Sequence, residues 1–168
     1  MHQPEKDGDK NEIGPVEAAA CVVDATLVIY SNVYPGVLHI YDDGSYETLE
    51  VTDWIAWEDV PNYLYDVVFY KTGKTTGTTA MRMEGYMSEV QSDLYPCRVY
   101  KAIFADVVAA LSGDSGSPAY RKLGGHAVLL GYVVANSDDW DGIVRTMILS
   151  VDNLWGAFGV RPYVCQWC

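Results

Sequence analysis

The chain of 168 residues sets 11 lysines and arginines against 23 aspartates and glutamates, a net charge of −12, with 49% hydrophobic and 20% charged residues. That hydrophobic share, with 13 tyrosines and 5 tryptophans, suffices for one ordinary domain with its own core and excludes a disordered chain. The acidity and the lack of any Lys/Arg cluster exclude a nucleic-acid partner, whose binding rests on cations that displace counterions; no apolar run is long enough to span a bilayer, so no membrane partner is expected either.

The first dozen residues, MHQPEKDGDKNE, read as a polar leader (residues 1–12) without the apolar core of a signal peptide, followed by a single domain over residues 13–168. Short segments with β-branched or aromatic residues at alternating positions then follow one another: Cys21 to Tyr30, a pair of runs around an Asp43-Gly44 turn, and Leu64 to Lys71. Cys97 to Phe104, His126 to Ala135 after Gly124-Gly125, and Ile143 to Leu149 continue the pattern. Strands at this spacing predict an all-β sandwich or barrel. One helix closes the chain. Ser150 is placed to cap it, Val151, Leu154, Trp155 and Phe158 form an apolar stripe expected to face the barrel, and Gly159 is placed to end it.

Four cysteines, Cys21, Cys97, Cys165 and Cys168, leave free thiols, one or two disulfides, or a zinc site as open readings. The cysteines fit an oxidising, extracellular setting and the acidity fits a virion or high-salt one. The sequence does not choose between these, and it asks for no cofactor.

The stretch Leu111-Ser112-Gly113-Asp114-Ser115-Gly116-Ser117-Pro118 carries the chemistry. A serine between glycines in a tight polar turn exposes its hydroxyl and lets neighbouring backbone N–H groups converge, the arrangement that a tetrahedral oxyanion needs. The same composition also fits a plain surface turn. GDSGSP resembles the nucleophile motif of the chymotrypsin-like serine peptidases. Upstream, Val67 to Thr79 is similar to the V-x-K-x-G-R-T-T-G-x-T strand and turn that opens the second barrel of bacterial, phage and archaeal members, with Lys74 where the arginine usually stands. Leu130 to Ser137 resembles the strand lining the substrate cleft, and Thr146 to Val160 the closing strand and helix, so residues 64–160 are read as the second barrel.

The resemblance implies an antiparallel chymotrypsin-like β-barrel fold, a protein or peptide substrate, and specific roles. Ser115 is the nucleophile, the N–H groups of Gly113 and Ser115 form the oxyanion hole, and Asp114 braces the loop. Asp24, in a D-A-T-L-V segment like the family's D-A-A-L, is the candidate triad acid, with Glu17 as a second candidate. No metal is implied. The base departs from the pattern: no T-A-A-H-like segment precedes the acid, and the three histidines are His2 in the leader, His39 in a strand and His126 after the nucleophile. The stretch before Leu64 is also too short for six strands of about 5 to 6 residues plus turns. A reduced first barrel is therefore expected. Three functional readings follow: a peptidase whose histidine comes from an unexpected place, from a separate chain or from a precursor segment; an inactive relative that binds peptides; and a zinc-stabilised structural protein.

Overall fold

In the computed structural model, residues 16–21, 25–28, 36–91, 97–138, 141–162 and 164 are described. Two hairpins come first: β1 (Val16–Ala20) with β2 (Ala25–Val28), and β3 (Gly36–Ile40) with β4 (Tyr46–Trp54). Asp43-Gly44 turns the second hairpin as its residues dictate: Gly44 takes φ 82°, and Asp43 Oδ1 accepts from Ser45 N at 2.9 Å. A 3-10 helix (Trp57–Tyr63) leads into six further strands, β5 (Val68–Gly73), β6 (Gly77–Val90), β7 (Val99–Ala105), β8 (Pro118–Leu123), β9 (His126–Ser137) and β10 (Arg145–Ser150).

Those six strands close on themselves in the order β10-β7-β6-β5-β8-β9, because β9 also pairs with β10. Closure removes the open edges that a six-stranded sheet would otherwise present. Phe69, Met81, Met83, Ile103, Leu130 and Ile148 fill the main core, each contributing about 1.5 to 3 kcal/mol of burial. β9 is long enough to serve two neighbours on one side. Its second half pairs with β10, while His126 to Leu129 run parallel to Glu50 to Trp54 of β4, so the β3–β4 hairpin hangs on the complete barrel. The fold is thus the all-β chymotrypsin-like arrangement, with one complete barrel, two hairpins among the described residues before it and a C-terminal helix.

Four readings are corrected. β6 and β8 are strands that the alternation did not single out. The helix α1 (Asp152–Phe158) ends at Gly159 as expected, with φ 66° and its N–H on Trp155 O, but its stripe is not wholly inward: Trp155 is 54% exposed, while the polar Asn153 is buried and donates to Tyr100 O at 2.6 Å. Ser150 is a buried strand residue whose Oγ accepts from Asp152 N at 3.3 Å, and the residue at the cap position is Val151. Cys21 and Cys97 form a disulfide tying the first hairpin to the approach to β7, so these two sulfurs are not zinc ligands and the four-thiolate reading is overturned. Cys165 and Cys168 lie outside the described residues. No described helix is long and apolar enough to cross a membrane.

Candidate active site

The β5–β6 turn and the Leu111–Ser117 loop meet around one buried carboxylate. Alternation along β5 turns Phe69, Lys71 and Gly73 to the same side, which carries a lysine into the interior; Lys71 and Asp114 are both fully buried and pair at 3.2 Å. Asp114 Oδ1 accepts the N–H groups of Thr75 at 2.7 Å and Thr76 at 3.3 Å, and its Oδ2 accepts Thr76 Oγ1 at 2.7 Å and Leu111 N at 3.0 Å. Lys71 is completed by Thr76 Oγ1 and by Gly77 O at 3.1 Å. Burial raises the Asp114 pKa, but the donors of Leu111, Thr76, Thr75 and Lys71 outweigh it and hold the carboxyl well below the usual carboxylate range. Gly73 makes room for this packing, since a Cβ there would collide with Asp114 Oδ1 and lie 2.6 Å from Ser117 Oγ.

The loop above Asp114 is drawn tight and laid against β9. Asp114 N donates to Leu111 O at 3.0 Å, Ser117 N to Asp114 O at 3.0 Å, Gly116 N to Val133 O at 2.7 Å, and Val133 N to Ser117 O at 2.9 Å. Thr75 Oγ1 fixes the loop's start by donating to Ser112 O at 2.8 Å. Gly113 and Gly116 adopt φ 101° and 84°, a region where a side chain is strained, and this is what lets the chain reverse around the exposed Ser115. Among the described residues no acceptor takes the N–H of Gly113 or of Ser115, although those of Leu111, Asp114, Gly116 and Ser117 are all bonded.

Ser115 opens onto a cleft of about 190 Å³ walled by Ala110 to Ser112 and by Val133 to Asn136, with no charged side chain. Its Oγ donates to Val134 O at 3.0 Å. One wall is clamped: Asn136 Nδ2 donates to Ala110 O, and Thr146 Oγ1 donates to Asn136 Oδ1 while accepting from Ala109 N, each at 2.8 Å.

The structure thus brings together Gly113, Asp114 and Ser115, but neither described histidine joins them. His39 is buried in β3, with Nδ1 2.9 Å from Tyr120 Oη and its ring edge-on to Tyr41 and Tyr70. Burial, reinforced by Lys122 and partly opposed by Glu47, pushes its pKa down. His126 opens β9, with Nδ1 3.8 Å from Glu50 Oε2. Asp24 and His2 lie outside the described residues; Glu17 is in β1, and its side chain is outside them too. Sequence reasoning had not singled out Lys71, Thr75, Thr76 or the Asn136–Thr146 clamp. Lys71, Thr75 and Thr76 stood in the sequence as the K and T-T of the V-x-K-x-G-R-T-T-G-x-T resemblance, without a role attached, and Lys71 also as a charge on the inward phase of an alternating strand; the clamp left no signal.

In fold, the closed six-stranded barrel with its attached hairpin matches solved structures of chymotrypsin-like serine proteases. A glutamic acid-specific serine protease superimposes with a TM-score of 0.63 at 20% identity, covering 90% of this chain and 74% of that one. The chymotrypsin of Cellulomonas bogoriensis gives 0.59 at 20% identity, covering 86% and 71%, and protease A of Thermobifida fusca 0.58 at 19% identity, covering 86% and 70%. No protein-family model and no curated protein sequence matches the chain.

Proposed function

We propose that this chain is a serine endopeptidase-type hydrolase acting on a protein or peptide substrate through Ser115. The observation that carries the reading is the Ser115 loop: Asp114, locked by five donors, holds Gly113 and Ser115 with their N–H groups unclaimed by any acceptor among the described residues. In this mechanism Ser115 Oγ turns from Val134 O, passes its proton to a histidine and bonds to the scissile carbonyl carbon. The carbonyl oxygen becomes an oxyanion held by the Gly113 and Ser115 N–H groups, and the carbonyl of Val134, released from Ser115, is free to accept a substrate N–H. The histidine then protonates the leaving amine, and water releases the acyl group by the reverse sequence. His39, bonded to Tyr120, and His126, at the start of β9, do not line the Ser115 cleft, so in this reading the base comes from His2, with Asp24 or Glu17 as orienting acid, or from a separate chain or precursor segment. Self-processing is the form of the activity that a built-in precursor segment supports.

A second reading, an inactive relative that holds an extended peptide against β9, is favoured by the bond that Ser115 Oγ makes with Val134 O in place of a base. Incubation with a peptide library, read by mass spectrometry, separates the two. New termini that vanish in Ser115→Ala support hydrolysis. Peptides retained uncut by both proteins support the binding reading and overturn hydrolysis by this chain alone.

A further inference from the structure

A second cleft, of about 380 Å³, lies between the 3-10 helix, β6, β7 and α1 and shares no lining residue with the Ser115 cleft. Its volume falls within the roughly 300 to 1,000 Å³ of small-molecule sites. Four features of its walls point to an occupant. Lys101 sits inside β7 with φ 52°, a left-handed backbone that is strained for a non-glycine residue, and among the described residues it has no hydrogen-bond or ion-pair partner. Asp152 faces the same cleft, its Oδ2 accepting Trp57 N at 2.7 Å, and does not come within ion-pair distance of Lys101. The Trp57 ring is held edge-on to Tyr86, with centroids 5.6 Å apart. Gly156, inside α1, has nothing within 4 Å of where a Cβ would stand, so no neighbour demands a glycine there, and the helix backbone lies bare at the cleft wall.

Opposite charges that share a cavity without pairing suit a molecule carrying both signs, and an aromatic wall suits a flat apolar group. We propose that this cleft binds a zwitterionic aromatic amino acid, its carboxylate on Lys101, its ammonium toward Asp152 and its ring along Trp57 and the bare face of Gly156. The phenyl group gains by leaving water, and the two charges supply orientation; an ammonium also offsets the repulsion that Asp152 would exert on a lone carboxylate.

The test is a titration of the full chain, followed by amide and indole NMR, with L-phenylalanine, with 3-phenylpropionate, which lacks the ammonium, and with phenethylamine, which lacks the carboxylate. Saturable shifts at Ser88, Lys101, Asn153, Gly156 and the Trp57 indole are expected, with L-phenylalanine bound roughly three- to fivefold more tightly than either analogue. Lys101→Gly, which suits the left-handed backbone, is expected to bring L-phenylalanine to within twofold of phenethylamine. Gly156→Leu, whose side chain enters open space, is expected to remove binding by L-phenylalanine while the remaining spectrum stays native. Equal binding of the three probes, shifts mapping elsewhere, no saturation by 3-phenylpropionate, phenethylamine or L-phenylalanine, or undiminished binding in either variant overturns the proposal.

Discussion

The two halves of the molecule are built to different standards. The six strands from Val68 to Ser150 close into a barrel, pack a continuous core and surround a fully buried, fully bonded Lys71–Asp114 pair. The described residues before the 3-10 helix supply two hairpins, one held by a parallel pairing to β9 and the other linked through the Cys21–Cys97 disulfide. Everything that positions Ser115 belongs to the first group. Whatever would take its proton has to come from outside the described residues or from another molecule. The contrast teaches that one barrel alone can hold the Ser115 loop in place, with the proposed nucleophile and its proposed oxyanion donors, whereas the proposed proton transfer needs a group that the described part of the barrel does not supply.

The sharpest way to break the contrast is to attack the buried pair. Lys71→Met leaves Asp114 charged without its cation and is expected to cost about 3 to 5 kcal/mol in urea unfolding, because an isolated buried charge is not resolvated. If the variant unfolds like the parent, the loop is not braced as described. Gly73→Ala is the next most severe change, about 1 to 3 kcal/mol by overpacking against Asp114, and it is expected to disturb the amide resonances of Gly113 and Ser115.

On the weaker side, replacing Cys21 and Cys97 by alanine releases a closure spanning 76 residues, and a loss of about 2 to 4 kcal/mol is expected in denaturant titration under oxidising conditions. Exchange protection should fall at β1 and β2 before β5 to β10. Equal loss in both halves would erase the distinction between them.

The mildest prediction concerns His39, which joins the β3–β4 hairpin to Tyr120 of the barrel. Folding lowers its pKa, so the unfolded chain binds the proton more readily. The stability that His39 contributes is therefore present above its ordinary value of about 6.5 and is lost as pH falls through the folded value, with a slope of at most about 1.4 kcal/mol per pH unit. Urea unfolding at pH 8, 6.5 and 5 should show this fall in the parent and a smaller one in His39→Gln. Asp114 has the same sign at lower pH: its contribution is full above about pH 4 and declines only below it, so the Ser115 loop should stay braced at pH 5.

Much of this was legible in the residues. Asp43-Gly44 marked its turn, Gly159 the end of its helix, and GDSGSP the loop, because each rests on local backbone chemistry. β8 was hidden because Pro118 and Lys122 are poor strand formers, and its pairing with β5 and β9 overrides that. β6 keeps period two, but Met81, Met83 and Gly85 carry it in place of β-branched residues. The outward face of Trp155 reflects Arg161, whose guanidinium lies 4.7 Å from its ring and gives an exposed indole a partner that spacing cannot reveal. The cysteine pairing and the neutral Asn136–Thr146 clamp both depend on chain segments far apart in sequence.

The most direct test of the central claim, that Ser115 is an activated nucleophile on a preformed loop, is labelling of the folded chain with a serine-reactive fluorophosphonate, read by intact mass. The account predicts one adduct, on Ser115, absent in Ser115→Ala. A native, soluble chain that stays unlabelled would contradict activation of Ser115 by this chain's own residues.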